Sequence, residues 1–382
     1  MMARLGDICY KITDGSHNPP SGVPISEFLM LSSKNIHDGF ITYDDPRYLS
    51  RENFEIENKR TQINPGDILM TIVGTVGRVT VVPENTNNIC LQRSVAVIKP
   101  KKEIVLPRFL MYQIQSMKNV LEKEAKGVAQ KGIYLKQVEN LSIKVFERNV
   151  QESIVLHMDK ICNLIELRNQ QLSKLDELVK ARFVEMFGDP VNNSKGLPEF
   201  TLPELGEFGR GVSKHRPRND PKLLGGKYPL IQTGEVANSN LYITEYESTY
   251  SELGFKQSKL WQKGTLCITI AANIAKTAIL TFDACFPDSV VGFKANDRTN
   301  NIFIHYWFTF FQTILEAQAP ESAQKNINLK TLSELKIIVP PIEQQNEFAT
   351  FVKQIDKSKL EIQQSLEKLE TLKKSLMQQY FG

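Results

Sequence analysis

This chain of 382 residues has only five cysteines, and they are scattered without a CxxC pair or a nearby histidine cluster. That spacing argues against a zinc site and against a disulfide framework. The sequence also has no run of about 18 apolar residues, and no apolar segment at its start of the kind found in signal peptides. We therefore expect a cytoplasmic protein with buried, reduced thiols that neither spans a membrane nor is secreted.

The catalytic motifs of DNA enzymes are incomplete in this sequence. Residues 18–21 are Asn-Pro-Pro-Ser, whereas an adenine methyltransferase has an aromatic residue in the last position to stack on a flipped base. No glycine-rich turn for S-adenosylmethionine accompanies the segment. Asp45 with Glu57 and Lys59 matches a nuclease metal site only loosely, and Gly225-Gly226-Lys227 lacks the first glycine of a phosphate-binding loop. The sequence predicts no catalytic residue, cofactor or metal in this chain.

Charge is nearly balanced, so composition alone does not indicate a partner. The formal net charge is +4, and 41% of the residues are apolar and 24% charged, as in ordinary globular proteins. The distribution is more informative, because the stretch 210–227 contains six Lys or Arg residues and a single acid, Asp220. A solvated loop would explain this run equally well. The glycines, His215 and Pro217 within it favour a shaped loop with outward side chains.

The most informative feature is an internal repeat. Residues 129–188 and 323–382 align without a gap at an offset of 194, and 19 of the 60 positions are identical. Both copies begin with Ala-Gln-Lys and end with Phe-Gly. The sequence therefore predicts a molecule with internal two-fold pseudosymmetry.

Each copy of the repeat contains a long amphipathic helix. No Gly or Pro occurs between Arg148 and Phe187, and Pro340-Pro341 mark the start of the second helix. The apolar stripes are Ile154, Met158, Ile161, Ile165, Leu172, Leu175 and Leu178 in the first helix, and Phe348, Phe351, Ile355, Ile362, Leu366, Leu369, Leu372 and Leu376 in the second. About 40 residues at 1.5 Å per residue span roughly 60 Å.

Helices of this length predict that the two stripes pair with each other, antiparallel, as a spacer between two globular domains. The alternative is that each helix packs only on its own domain. The predicted fold is mixed α/β (α+β), with two globular domains at 1–146 and 189–338 separated by coiled-coil helices at 147–188 and 339–382.

The two globular segments are also related to each other. Residues 65–78 align with 263–276 at an offset of 198, and 90–94 align with 285–289 at an offset of 195. Strand-like residues are shared, whereas loop residues differ. This pattern indicates two domains of one fold that recognise different targets.

Taken together, the segment Asp14–Pro20, the paired strand-loop segments ending in Arg78 and Lys276, the Ala-Gln-Lys starts and the Phe-Gly ends resemble the specificity subunit of type I restriction-modification systems. The resemblance covers essentially the whole chain. It implies two target recognition domains that bind double-stranded DNA at a bipartite site. A rigid helical pair would suit two grooves about one helical turn, or roughly 34 Å, apart.

The resemblance also implies partners. Two modification subunits would methylate adenine, and restriction subunits would translocate and cut DNA, so that S-adenosylmethionine, ATP and Mg are expected only in the partners. Two alternatives stay open: a coiled-coil scaffold that binds no DNA, and a self-sufficient methyltransferase or nuclease.

Polar loop residues of the two domains are the candidate DNA contacts, because Arg, Lys, Asn, Gln and His can reach base edges or phosphates. The candidates are Ser16, His17, Asn18, Lys34, Thr75, Arg78 and Arg93 in the first domain, and Lys214, His215, Arg216, Arg218, Thr233, Asn273, Lys276 and Lys325 in the second. Gly74 and Gly77 could bring backbone amides to a phosphate or close a hairpin, and the hairpin is favoured.

Overall fold

The structure is a computed structural model that describes residues 1–125, 132–215, 217–271, 273–318 and 327–382. In that part of the chain, no helix is both long enough and apolar enough to cross a membrane. The chain forms two compact units. Unit 1 is Met1–Asn169 with Gln363–Gly382, and unit 2 is Gln170–Ile362. Both contain helices and strands, so the mixed α/β prediction is confirmed.

The strands of unit 1 are β1 (Met2–Arg4), β2 (Cys9–Asp14), β3 (Phe28–Leu31), β4 (Ile36–His37), β5 (Phe40–Ile41), β6 (Arg47–Leu49), β7 (Ile68–Thr71), β8 (Val79–Val81), β9 (Ile89–Leu91), β10 (Val95–Pro100) and β11 (Ser142–Lys144). Its helices are α1 (Arg51–Thr61), α2 (Pro107–Ser116), α3 (Lys118–Glu124) and α4 (Leu135–Glu139), with 3-10 turns at Leu5–Ile8 and Ser33–Asn35. The first long helix, α5 (Arg148–Phe187), begins in this unit.

The main sheet of unit 1 is antiparallel, with strand order β2-β10-β7-β8. A second sheet has the order β6-β3-β9, in which β3 and β9 are parallel. Alternate side chains of a strand point to opposite sides of the sheet. In β10 the side chains on both sides are buried. Ala96 and Ile98 belong to one apolar core, and Val95 and Val97 belong to another.

The strands of unit 2 are β12 (Glu199–Phe200), β13 (Gly206–Arg210), β14 (Leu224–Leu230), β15 (Tyr242–Ile243), β16 (Ser248–Tyr250), β17 (Leu260–Trp261), β18 (Leu266–Thr269), β19 (Thr277–Leu280), β20 (Ala284–Cys285), β21 (Val290–Ala295) and β22 (Ile337–Ile338). The helices are α6 (Leu202–Leu205), α7 (Thr233–Asn238), α8 (Glu252–Lys256), α9 (Asn301–Gln318), α10 (Leu329–Ser333) and the second long helix α11 (Ile342–Phe381), with a 3-10 turn at Pro221–Leu223.

Unit 2 repeats the strand pairing of unit 1. Its main sheet has the order β13-β21-β18-β19-β15, and its second sheet has the order β16-β14-β20-β17. The registers agree as well, because Val95 pairs with Thr71 in unit 1 and Val290 pairs with Thr269 in unit 2. The additions in unit 2 are the edge strands β15 and β17. The structural repeat therefore extends through both globular parts, well beyond the aligned helices.

Both long helices contribute to the core of each unit. In unit 1, α5 buries Ile154, Met158 and Ile161, and α11 buries Phe381. In unit 2, α5 buries Val179, Phe183 and Phe187, and α11 buries Phe348, Ala349 and Val352. The helices run antiparallel within unit 2, where Arg182 contacts Glu347 and Asp176 contacts Lys359.

A buried glutamine fixes the start of each long helix. The Gln345 side-chain amide donates to the carbonyl oxygens of Arg298 and Pro340 at 3.0 and 2.8 Å, and its oxygen accepts from the Thr299 hydroxyl at 2.9 Å. Gln151 occupies the same place in the repeat and bonds backbone groups of the chain before α5 in the same way. These bonds hold each helix to the segment that precedes it.

Several details differ from the sequence predictions. Leu178 and Leu372 were placed on the apolar stripes, but they are 46% and 47% exposed. Near residue 178 the buried position is Val179, because a step of four from Leu175 follows the 3.6-residue period of the helix better than a second step of three. Cys162 is half-buried, whereas the other cysteines are buried as expected. Burial raises the pKa of Cys9 and Cys90 to about 12, which keeps both thiols protonated.

Candidate nucleic-acid interface

In unit 1 the strand register gathers several loops at one edge of the main sheet. Asp14 at the end of β2 pairs with Ala96 near the start of β10, and Val95 pairs with Thr71 at the end of β7. The loops that leave these strand ends therefore lie side by side. We call this surface reading edge 1; it consists of residues 15–19, 33–35, 72–78 and 92–94.

A four-residue turn, 92–95, lies at the centre of reading edge 1. A backbone hydrogen bond of 3.1 Å joins its first and last residues. The amide of Arg93 donates to the Ser16 carbonyl at 2.8 Å, and the carbonyl of Ser94 accepts from the Ile72 amide at 2.9 Å. The turn thus connects the loop after β2 to the loop after β7. The Arg93 side chain is exposed, and no partner for it is found among the described residues.

The loop after β2 presents His17 and Asn18. His17 Nε2 lies 2.9 Å from Asp14 Oδ2, and the Asp14 side chain is only 8% exposed. Arg60 from α1 contacts the other oxygen of the same carboxylate. The buried carboxylate orients the exposed imidazole at the edge, and Asn18 is exposed beside it.

Lys34 is on the edge but has a partner there. The amide of Ser33 donates to the Ser94 hydroxyl at 3.1 Å, which places this 3-10 turn against the central turn. Lys34 Nζ is 2.5 Å from Asp45 Oδ2, and this hydrogen bond and charge lower the pKa of Asp45. The Lys34 side chain is nevertheless exposed, so its ammonium group is also accessible from solvent.

The loop 72–78 is held by a buried hydroxyl. Thr71 Oγ1 accepts the amide of Arg78 at 3.0 Å, and Thr71 is fully buried. Gly74 and Gly77 have φ of +83° and +90° and allow the chain to turn from β7 into β8. The hairpin interpretation of these glycines is therefore correct.

Two basic side chains lie beside the same loop. Thr75 is exposed, and Arg78 is half-buried without a side-chain partner among the described residues. Together with Lys118 from α3 they line a cleft of about 400 Å³. Lys118, which lies 3.4 Å from Asp38, was not predicted from the sequence. Lys118 is the first residue of the short charged helix α3, and nothing in the sequence indicated that it would meet the loop.

Unit 2 has an equivalent surface. Arg210 at the end of β13 pairs with Val291, and Thr269 at the end of β18 pairs with Val290. The strand ends therefore meet at one edge as they do in unit 1. We call this surface reading edge 2; it consists of residues 211–215, 217–220, 233–238, 273–276 and 286–289.

The centre of reading edge 2 is again a four-residue turn, 287–290, closed by a backbone hydrogen bond of 3.0 Å. The carbonyl of Ser289 accepts from the Ile270 amide at 3.0 Å, as that of Ser94 does in unit 1. Asp288 occupies the second position of this turn and pairs with Arg218 from the basic loop. Asp288 was not predicted, since an isolated acid in a basic protein is usually a surface residue.

The basic loop after β13 is shaped by specific bonds. Gln257 Oε1 accepts the backbone amides of Lys214 and His215 at 2.5 and 2.9 Å. His215 Nε2 lies 3.2 Å from Asp220 Oδ2. The backbone N–H of Lys222, and after it the His215 ring, hold the pKa of Asp220 below its ordinary value. The prediction of a shaped loop with outward side chains fits this geometry.

The other predicted contacts of unit 2 differ in accessibility. Asn273 is exposed, Lys276 is half-buried, and Thr233 is the half-buried first residue of α7. Two candidates, Arg216 and Lys325, lie outside the described residues, as do the Ala-Gln-Lys starts of both repeats.

A glycine lets two chain segments approach closely in each unit, and the sequence did not indicate this role. A Cβ atom at Gly15 would lie 2.1 Å from the Leu91 carbonyl oxygen, and one at Gly211 would lie 2.2 Å from that of Phe286. Neither distance is possible between real atoms. Both positions therefore require glycine, so that the loop after β2 in unit 1 and the loop after β13 in unit 2 can lie against the central turn of that unit.

The geometry gives no support to catalysis by this chain. Gly225-Gly226-Lys227 lies within strand β14, not between a strand and a helix as in a phosphate-binding loop. Asp45, one of the two acids in the possible nuclease motif, is paired with Lys34. Among the described residues, no group of three His, Cys, Asp or Glu side chains could hold a metal ion.

The family model for the type I restriction modification DNA specificity domain matches residues 27–177 and 195–374. Each match covers most of one copy of the internal repeat and most of the globular segment before it. The two matches together cover most of the chain.

Two curated proteins are similar in sequence. The putative type I restriction enzyme MjaX specificity subunit of Methanocaldococcus jannaschii is 24% identical over 332 residues, which are 82% of this chain and 76% of that protein. The type I restriction enzyme EcoBI specificity subunit of Escherichia coli is 27% identical over 186 residues, which are 47% of this chain and 38% of that protein.

Two solved structures have a similar fold. One is the S subunit of a type I restriction-modification system from M. genitalium, with a TM-score of 0.59 and 14% identity over 99% of this chain and 94% of that chain. The other comes from a study of complex assembly and conformational transition of the type I R-M system, with a TM-score of 0.59 and 16% identity over 100% and 97%.

Proposed function

Because the chain belongs to the type I restriction-modification DNA specificity family, we propose that it selects a split DNA target, with one half-site bound by each reading edge. The family resemblance predicted from the sequence is thereby confirmed. As a member, the chain is a non-catalytic, DNA-binding specificity subunit that recognises the target site and acts with other restriction-modification subunits. The split target is supported by one observation above all: the two units share the strand order β2-β10-β7-β8 and β13-β21-β18-β19, but their edges carry different side chains.

The edges have the chemistry that base recognition needs. Exposed Arg93 and His17 on reading edge 1, and Asn273 and Lys214 on reading edge 2, are donors of the kind that contact guanine O6 and N7 or adenine N7 in the major groove. Backbone amides and lysines position a protein on phosphates. We assign the exposed candidate residues of both edges to these two classes of contact, and Thr75 and Thr233 to positioning on phosphates. The predicted contact through Ser16 is not supported, because Ser16 is buried and holds the central turn through its backbone carbonyl.

The catalytic chemistry belongs to partners in this proposal. Two modification subunits would transfer a methyl group to adenine using S-adenosylmethionine, and restriction subunits would use ATP and Mg to translocate and cut DNA. The internal repeat supports a pair of modification subunits, because it offers each one an equivalent surface. The complex would act in the cytoplasm, where the chromosome is.

The decisive experiment is a methylome obtained by long-read sequencing. Cells expressing this chain with the modification subunit encoded beside it are compared with cells that lack only this chain. We expect a new adenine mark at a motif made of two short specific parts and a fixed gap. A mark at a continuous, palindromic motif would contradict the split target, and no mark from a purified, assembled complex would contradict the whole proposal.

Salt dependence separates DNA binding from the scaffold alternative. Binding through several phosphates weakens by orders of magnitude between about 50 and 200 mM salt, whereas an apolar protein interface does not. The purified complex is titrated with duplexes that contain the methylated motif. Affinity that does not change with salt would favour the scaffold.

A further inference from the structure

The central turns of the two reading edges carry opposite charges at the same position. Turns 92–95 and 287–290 are each closed by a backbone hydrogen bond between their first and last residues. The carbonyl of the third residue accepts the amide of Ile72, just after β7, in unit 1 and that of Ile270, just after β18, in unit 2. The second residue is Arg93 in unit 1 and Asp288 in unit 2. The backbone is conserved between the units while the charge is reversed.

In unit 1 the turn itself supplies a guanidinium. The amide of Arg93 is fixed by the Ser16 carbonyl at 2.8 Å, whereas its side chain is exposed. A guanidinium has five N–H donors in a planar fork and contacts guanine through O6 and N7. Arg93 is therefore placed at the centre of reading edge 1 with its donors available.

In unit 2 the turn supplies a carboxylate, and the guanidinium comes from another segment. Arg218 Nη2 contacts Asp288 Oδ1, and the two side chains are 44% and 34% exposed. The side chain of Arg218 makes no other hydrogen bond to the residues that the structure describes. A carboxylate that holds one side of a guanidinium restricts its rotation, which lowers the entropy cost of binding a base.

We propose that each half-site contains a guanine recognised at the central turn, by Arg93 directly in unit 1 and by Arg218 in unit 2, with Asp288 as its positioning residue. This inference rests on the proposed function, because it names the base that each edge selects. Both edges would present a guanidinium at the same place by different means. Although the two turn residues have opposite charges, the group that contacts DNA would then be a guanidinium in both units.

The test measures the methylome and the binding preference of complexes that carry Arg93→Gln, Arg218→Gln or Asp288→Asn. Arg93→Gln should relax or change one guanine in the first half-site only, since glutamine pairs best with adenine. Discrimination of the cognate duplex from one with that guanine replaced should fall about 5- to 140-fold. Arg93→Lys should retain part of the preference.

Asp288→Asn keeps the size of the side chain and removes its charge. We expect it to relax one guanine in the second half-site, as Arg218→Gln does, and the double variant should lose no more than Arg218→Gln alone. If Asp288→Asn changed the motif while Arg218→Gln did not, Asp288 would contact the base itself and its positioning role would be overturned.

Matched controls separate this effect from general damage. Arg51→Gln on α1 and Asp297→Asn before α9 remove charges from exposed residues outside the two edges and should leave the motif unchanged. Assembly with the modification subunit and the melting temperature establish that each variant is folded.

The outcomes distinguish this inference from the proposed function. An unchanged motif with equal weakening on all duplexes and a smaller salt slope would make Arg93 a phosphate contact and overturn the inference alone. A wild-type complex that leaves no mark and does not bind DNA would overturn the proposed function, and the inference with it.

Discussion

The hydroxyl of Thr269 accepts a hydrogen bond from the backbone amide of Lys276 at 3.1 Å, and that of Thr71 accepts one from Arg78 at 3.0 Å. Both threonines are fully buried. This bond spans the loop between β7 and β8 in unit 1 and the loop between β18 and β19 in unit 2. A single hydroxyl therefore determines where a basic residue leaves the sheet.

Thr269→Val should loosen the loop 273–276. The substitution keeps the shape of the side chain but leaves the Lys276 amide without its side-chain acceptor, which costs about 1–3 kcal/mol. We expect a lower urea midpoint and weaker discrimination of the second half-site, while the first half-site is read as before. Thr371→Val, at an exposed position of α11, is the control. Equal loss at both half-sites would show that the loop is not acting locally.

Gln345→Leu should strongly destabilise unit 2. The side chain is fully buried, and its removal leaves the Thr299 hydroxyl and the Arg298 and Pro340 carbonyls without a partner. We expect a loss of about 2–4 kcal/mol in the free energy of unfolding, measured in urea. Gln344→Leu changes the exposed neighbour and should cost little. Similar losses for both variants would contradict the role given to Gln345.

His305 makes the stability depend on pH. Burial in unit 2 lowers the pKa of His305 to about 4, and its Nδ1 lies 2.9 Å from the Thr277 hydroxyl. Between about pH 6.5 and pH 4 the unfolded chain binds a proton that the folded chain does not, so stability falls as the pH falls through this range. The effect is at most about 3 kcal/mol.

The measurement compares the wild type with His305→Leu in urea at pH 7 and pH 5. The wild type should lose more stability than the variant when the pH falls, because only the wild type has the depressed pKa. Parallel pH profiles would show that His305 is protonated in the folded state.

Gly211→Ala should displace the basic loop. The new Cβ would lie 2.2 Å from the Phe286 carbonyl oxygen, so the backbone must shift. We expect a loss of about 1–3 kcal/mol in stability, together with impaired recognition of the second half-site. Gly234→Ala, where nothing lies within 4 Å of the new atom, should be neutral or stabilising. A variant with native stability and an unchanged motif would show that the close approach is not needed.

The architecture was accessible from the sequence because a repeat specifies it twice. Segment 65–78 aligned with 263–276, and in the structure each contains a strand and the loop, held by a threonine, that leads into the next strand. The ends of the long helices lie within three residues of the predicted segment bounds, and Pro340-Pro341, Gly188 and Gly382 mark three of the four ends. Leu178 and Leu372 were wrongly placed on the stripes because each lies three residues after an apolar stripe residue, whereas the 3.6-residue period continues four residues on from Leu175 and seven on from Leu369.

The reading edges were only partly accessible. Loop composition indicated which segments carry donors, but it gave no information about pairing between distant residues. Arg218 and Asp288 are 70 positions apart, and Lys34 and Asp45 meet only because the hairpin between them folds back. The alignment of 90–94 with 285–289 equates Arg93 with Asp288, but it did not indicate that both are the second residue of a turn or that Arg218 contacts Asp288.

The burial of Phe381 in unit 1 has a consequence for biosynthesis. Its ring lies 5.5 Å from that of Phe109, in the core of the unit whose strands are the first to leave the ribosome. Unit 1 therefore cannot complete its apolar core until the segment that carries Phe381 has been synthesised, after the whole of unit 2. Translation that stops within unit 2 would leave this part of the core exposed to chaperones and proteases, so that the half made first is closed only after the half made second.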